Sequence, residues 1–265
     1  MNDTTKTDAP EAIPAATIII FRSASDGGAP EILMTVRSKT MSFAGGMAVF
    51  PGGRVDPEDF ALGETVAAGS TNGITADEAA HQIAAVRETL EETGLALGLS
   101  GDINADSASK ARIMLESEKA LGPVLAAFGW ELDLSQIIPF ARWFPKNENL
   151  SRTYDTRFYL ADLGTGAVDV SIDHSENTKL FWVSAQGAID MAARGEIKLI
   201  FPTRRNLERL ALFSSFEEAR AQAKAIPVKT IIPKVDTTSG KPMLTILEDA
   251  GYPVTAELLE TVARG

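Results

Sequence analysis

The sequence predicts an α/β fold with a mixed sheet, on three observations. Short β-branched runs alternate with longer helical segments along the whole chain, instead of gathering at one end. The first two runs, residues 16–21 and 31–36, flank the turn-forming Ser-Ala-Ser-Asp-Gly-Gly-Ala-Pro and read as a hairpin. At residue 75 the apolar period changes to helical, with Ala79, Ile83, Val86 and Leu90 three or four positions apart. The 265 residues, 45% of them apolar, are enough for one large domain or for one domain with an extension.

Taken in order, residues 1–14 read as a disordered leader ending at Pro14. Gly45, Gly46, Pro51, Gly52 and Gly53 crowd the short apolar stretch 47–50, a backbone suited to sharp turns or close approach to a ligand. Residues 54–74 form a polar insertion with no clear period. The following helix has Thr75 as its N-cap, Asp77 and Glu78 in its first turn, and Gly94 as its stop. Residues 107–129 are helical with a break near Gly122-Pro123. Strands follow at 137–144, 156–160 and 179–183, the last leading into a helix at 184–194. Further helices are expected at 206–213 and 216–225. A hairpin of 228–233 with 243–247 and a last helix at 256–263 complete the chain. The expected organisation is a leader, a main domain over 15–205 with insertions near 54–74 and 100–130, and an extension at 206–265 packed on it.

Composition narrows the function. With 36 acidic and 25 basic residues the net charge is −11, which argues against a nucleic-acid binder or an anionic-membrane surface protein. An anionic substrate is still open if a divalent cation stands between it and the carboxylates. There is no cysteine, which removes disulfides, iron–sulfur clusters and thiol nucleophiles. Only His81 and His174 are present, too few for a His-rich metal site. The first residues show no secretory pattern and no run spans a bilayer, so a cytoplasmic setting is expected.

One stretch carries chemistry: Arg87-Glu88-Thr89-Leu90-Glu91-Glu92-Thr93-Gly94-Leu95. On a helix, Glu88, Glu91 and Glu92 stand at i, i+3 and i+4 and share one face, where like charges repel unless compensated. Three oxygen donors on one face suit Mg²⁺ or Mn²⁺. A solvated acidic face is the alternative for a random Glu-Glu pair. Five fixed positions, however, coincide by chance on the order of 10⁻⁶ per starting point.

The pattern R-E-x-x-E-E-x-G-L, preceded by Phe50-Pro51-Gly52-Gly53, resembles the signature of the Nudix hydrolases. That resemblance implies an α/β/α sandwich and a metal-dependent enzyme that cleaves a phosphoanhydride in a nucleoside diphosphate linked to another moiety. Two positions depart from the family's box. Gly53 lies 34 positions before Arg87 instead of fourteen, which implies a twenty-residue insertion, and Ala79 stands where the box has a glutamate eight before the arginine. Glu78 is a candidate stand-in for the latter. Leu33-Met34-Thr35-Val36-Arg37-Ser38 with Gly46 and Phe50-Pro51-Gly52-Gly53 is similar to the motif of coenzyme A diphosphatases, although Ser42 stands where that motif has an arginine. The insertion, the stretch 152–160 and Phe201-Pro202-Thr203-Arg204-Arg205-Asn206-Leu207 resemble the peroxisomal coenzyme A diphosphatase-like (type 19) branch.

By resemblance, Glu88, Glu91 and Glu92 hold Mg²⁺ or Mn²⁺, with Glu176 a further metal or base candidate. Glu88 or a partner carboxylate accepts the water proton, Arg87 orients Glu91, and Arg37, Gly52 and Gly53 meet the substrate. Coenzyme A or an acyl derivative is the first expected substrate, and ADP-ribose, NADH or a dinucleotide the second. A non-catalytic nucleotide sensor is the alternative class. The expected partner is a small nucleotide, with a homodimer open. Arg204-Arg205 is either an anion site or a solvated helix start. His81 is read as structural, and Trp130, Trp143 and Trp182 as core residues.

Overall fold

Alternation along one central strand decides the layering. In β1 (Ala12–Arg22) the side chains of Ile18 and Ile20 enter one core while Ile19 and Phe21 enter another. A strand buried on both faces requires a covering layer on each side. The computed structural model describes residues 12–39, 44–145, 153–164, 177–238 and 240–262.

After β1 come β2 (Glu31–Arg37), β3 (Ala48–Val49) and β4 (Gly52–Arg54), then helices α1 (Pro57–Gly69) and α2 (Ala76–Thr93). A small ribbon of β5 (Leu99–Ser100) and β6 (Glu131–Leu132) encloses α3 (Ala105–Glu118) and α4 (Leu121–Phe128). Next are β7 (Ile138–Trp143), β8 (Thr153–Asp162) and β9 (Asn177–Ser184), followed by α5 (Ala185–Ala193), α6 (Phe201–Leu210) and α7 (Phe216–Ala225). The chain continues through β10 (Thr230–Ile231), β11 (Lys234–Asp236), β12 (Met243–Thr245), β13 (Ala256–Leu258) and α8 (Leu259–Val262).

The main sheet runs β10-β7-β8-β1-β2-β3, with β4 also on β1 and β9 on β2. It is mixed, as expected: β1 is parallel to β8 from Ala12↔Thr153 to Phe21↔Asp162 and antiparallel to β2 and β4. Helices α2, α3 and α4 cover the Ile18 face through Ile83, Val86, Leu90, Leu115 and Val124. Helices α5, α6 and α7 cover the opposite face through Ala188, Leu207, Leu210 and Ala219. The product is a three-layer α/β/α sandwich. The deepest large side chains, among them Trp143, Phe21, Ile83 and Leu33, each stabilise it by roughly 1.5–3 kcal/mol through burial.

Several expectations are corrected. Residues 12–14, expected in the leader, are strand, because their backbone pairs with β8 despite the proline; residues 1–11 lie outside the described residues. The insertion 54–74 holds helix α1, capped by Asp56 in extended conformation with Pro57 next. The break between α3 and α4 falls at Lys119-Ala120, and Pro123 sits harmlessly in the first turn of α4. Helix α6 begins at Phe201, five residues earlier than expected, with its proline again in the first turn. The partner of β12 is β11, not residues 228–233, since β10 joins the main sheet beside β7. Residues 256–258 are a strand edge on β12 instead of helix. Thr75 and Gly94 bound α2 as expected, Thr75 accepting the Glu78 N–H and Gly94 taking a left-handed φ of 77°. Among the described residues no helix is long and apolar enough to cross a membrane.

Candidate functional site

Helix α2 carries its chemistry on the last two turns, where the covering layer meets the N-terminal parts of β1 and β8. There Glu88, Glu91 and Glu92 line a cleft of about 480 Å³ together with Arg87, Gly52 and Gly53. Arg37 lines the same cleft from the end of β2. Every described residue proposed for the site from sequence therefore meets in one place. Glu176, Ser42 and Arg152 lie outside the described residues.

The two glycines are required by different neighbours, Gly53 by Glu88 and Gly52 by β1. A Cβ on Gly53 would stand 2.3 Å from Glu88 Oε1, and one on Gly52 would stand 2.4 Å from the Ala16 carbonyl oxygen. Bare backbone thus lets β4 press against α2 at Gly53 and against β1 at Gly52. The Gly52 N–H donates to Glu92 Oε2 at 3.0 Å, which anchors that nearly buried carboxylate.

Arg87 is buried beside them, and its guanidinium meets five groups, among them the Asp56 carboxylate, 3.4 Å from Nη2. Nη1 donates to Glu88 Oε1 at 3.0 Å and faces Glu91 Oε2 at 3.5 Å. Nη2 donates to the Arg54 carbonyl at 2.9 Å and to Asp59 Oδ2 at 3.0 Å, while Nε meets the same carboxylate at 3.1 and 3.2 Å. These neighbours keep Arg87 charged, lifting it above its already high ordinary value against the cost of burial.

Sequence reading missed Asp59. It lies in α1, inside the insertion read as aperiodic, and only the three-dimensional packing of α1 on α2 brings it to Arg87. The candidate stand-in Glu78 instead accepts from Arg157 of β8 at 2.6 Å, at the first turn of α2 and away from Arg87. Also missed was Arg112 of α3, whose Nε donates to the Glu91 carbonyl at 2.8 Å and Nη2 to that of Glu92 at 3.2 Å. A cation there satisfies terminal carbonyls and complements the negative end of the α2 dipole. Lys119, in a left-handed conformation with φ 56°, reaches Glu91 Oε1 at 3.3 Å from the rim.

Burial pushes the Glu88 carboxyl up to about 8; Arg87 opposes this and the charges of Glu92 and Glu91 add to it. Among the described residues no three carboxylate or imidazole side chains are already gathered at metal-binding spacing. Glu91 is turned toward Arg87 and Lys119, and Glu92 toward the Gly52 amide. The donor set nonetheless fits a hard divalent cation. All three groups are oxygen donors lining one cleft, the ligand type that a hard divalent cation takes.

Across the cleft the walls are apolar and aromatic, with Phe50, Trp143, Tyr154, Phe158 and Pro202. The Phe-Pro-Thr-Arg-Arg segment contributes Pro202 and Thr203 to this wall, but not the two arginines. Arg205 is buried and pairs with Glu208 at 2.7 Å and Glu257 at 3.0 Å, so it ties α6 to β13 and is neither anion site nor solvated start. His81 is structural, buried with its Nδ1–H donating to the Asp77 carbonyl at 2.7 Å. Trp130 and Trp143 are core, whereas Trp182 is half-buried under the Arg22 guanidinium, 4.3 Å from its ring.

No family model and no curated protein matches the chain. Among solved structures, a Nudix hydrolase from Alicyclobacillus acidocaldarius is 25% identical and aligns over 80% of this chain and 96% of its own, with a TM-score of 0.66. The Nudix domain of Shewanella oneidensis NrtR, solved with ADP ribose, is 12% identical over 75% and 86% of the two chains, TM-score 0.42. An Ap4A hydrolase from C. elegans is 18% identical over 81% and 96%, TM-score 0.37. The Alicyclobacillus enzyme thus shares its fold with this chain along almost its full length. The chain is therefore similar to that Nudix hydrolase in fold, and it sets its own Arg-Glu-x-x-Glu-Glu helix against a glycine strand in the cleft.

Proposed function

We propose that the enzyme is a divalent-cation-dependent pyrophosphohydrolase acting on coenzyme A or acyl-coenzyme A. The single observation that carries the reading is the meeting of Glu88, Glu91 and Glu92 with Gly52 and Gly53 in one cleft that has an aromatic wall. Mg²⁺ or Mn²⁺ held by the three glutamates would neutralise the diphosphate and activate the attacking water. The remaining work falls to the protein's own groups. Glu88, whose carboxylate a bound cation would hold ionised, is the group proposed to take the water proton, with Glu91 the alternative for that role. Arg87 holds both carboxylates in place. Arg37 meets the anionic substrate, and the small volume of Gly52 and Gly53 lets the diphosphate approach. The aromatic side can receive an adenine by stacking.

The choice of coenzyme A rests on the resemblance at 33–38 and 50–53, whose Arg37 lies in the cleft. The test is hydrolysis of coenzyme A, acetyl-coenzyme A, ADP-ribose, NADH and diadenosine tetraphosphate with Mg²⁺, Mn²⁺ or chelator, products being separated by ion-pair chromatography. The expected result is metal-dependent release of a phosphopantetheine and adenosine 3′,5′-bisphosphate from the coenzyme A pair. Cleavage of ADP-ribose or NADH alone would keep the glutamate chemistry and discard coenzyme A. Binding without cleavage of any compound would make the chain a sensor.

A further inference from the structure

Asp59 is 1% exposed, yet its helix belongs to a segment added between the glycine strand and the glutamate helix. A carboxylate so deeply buried is costly unless a cation and hydrogen bonds answer it. Arg87 supplies both, with Nε at 3.1 and 3.2 Å and Nη2 at 3.0 Å, and the Asp56 N–H adds a bond to Oδ2 at 3.0 Å. The guanidinium is therefore gripped along one edge. Only Nη1 is left to point at Glu88 and Glu91.

This grip has two physical consequences. It fixes the plane of the guanidinium, and so the direction from which the carboxylates are held. It also cancels the guanidinium charge from behind, so that Glu88, Glu91 and Glu92 keep their negative surplus. Without Asp59 only the more exposed Asp56, 3.4 Å from Nη2, would remain behind the guanidinium, and more of its charge would fall on Glu88 and Glu91 and compete with any divalent cation. The seat of α1 is just as closely set. Gly63 packs so tightly on α2 that a Cβ there would stand 2.7 Å from the Ala76 carbonyl oxygen and 2.8 Å from the Ala80 nitrogen.

We infer that Asp59 is a positioning residue for the carboxylate site, and that the added helix α1 exists in part to deliver it to Arg87. The inference rests on the metal-dependent reading above. It is tested by Mn²⁺ titration calorimetry on wild type, Asp59→Asn and Gly63→Ala, with thermal melts of each. Asp59→Asn keeps the shape and removes the charge. It should melt lower yet remain folded, and bind Mn²⁺ at least about tenfold more weakly, as for other lost supporting partners of metal ligands. Folded Asp59→Asn with wild-type Mn²⁺ affinity would overturn the inference, since a merely structural aspartate moves the melt and not the affinity. Should Asp59→Asn fail to fold, Gly63→Ala decides. It lifts α1 from α2 while leaving every charge in place, and unchanged Mn²⁺ affinity in the folded variant would equally overturn the idea. Absence of Mn²⁺ binding by the wild type would instead sink the metal-dependent reading, and this inference with it.

Discussion

Glu92 shows how a single side chain can be both anchored and functional. It is nearly buried, and its Oε2 accepts the Gly52 N–H, a bond that a glutamine oxygen can also accept. Glu92→Gln therefore keeps the local structure and removes one of three negative charges. The expected outcome is a fall in kcat of at least about 10²-fold, the upper end for losing a mere supporting partner, with a melting temperature close to wild type. Equal rates in the two proteins would remove Glu92 from the metal site. His81 on the same helix behaves differently, because burial lowers its pKa below 6.5 while the Asp77 carbonyl and nearby carboxylates only partly oppose that. The folded protein thus refuses a proton that the unfolded chain accepts at about pH 6.5. Its stabilising effect is fully present above that pH and is lost as pH falls toward the folded pKa. In His81→Gln melts, the gap to wild type should narrow between pH 7.5 and 5.5. A gap constant across that range would refute the assignment.

Between elements, the decisive contact is β4 on α2. Adding a methyl group at Gly53 places it 2.3 Å from Glu88 Oε1, so the carboxylate must move while the strand can stay. Gly53→Ala should lower kcat by about 10²-fold, the cost of displacing a catalytic group by roughly an ångström, with little change in the melt. A wild-type kcat would show that Glu88 needs no fixed position. The sequence joined Gly52-Gly53 to the glutamate helix only through the family resemblance, and the contact itself depends on packing between elements. Helix α2 was legible, since Thr75, its apolar period and Gly94 all agree. Helix α1 was not. Its apolar residues Phe60, Leu62 and Val66 are only partly buried, and its inner face is small and acidic, with Gly63 and Asp59, so no clear stripe marks it. The one available signal was Asp56-Pro57-Glu58-Asp59, a cap, a proline at the first position and an acidic first turn. Strand β11 was missed for a related reason: three exposed or half-buried residues carry too little pattern to outweigh the apolar run before them.

At the scale of the whole molecule, the C-terminal segment is fastened to the back of the cleft. Strand β10 extends the main sheet, and Arg209 of α6 lies 3.8 Å over the Phe140 ring while donating to the Phe140 carbonyl at 3.0 Å. Tyr252, far along the chain, closes the connection. Its hydroxyl accepts from Trp143 Nε1–H at 2.9 Å and donates to Asn206 Oδ1 at 2.7 Å, and burial raises the phenol to about 12, so it stays protonated. Trp143 in turn lines the cleft. One hydroxyl therefore couples the last segment, helix α6 and the aromatic wall. Tyr252→Phe leaves two buried polar groups short of a partner, and should lower stability by about 1–3 kcal/mol in urea unfolding. The ring contacts survive, so the variant should fold, but a loosened Trp143 should raise KM more than it lowers kcat. A stability loss with unchanged KM would confine Tyr252 to the fold. A rise in KM would establish that residues beyond 205 shape the substrate side of the cleft, and that the extension belongs to the enzyme's working unit.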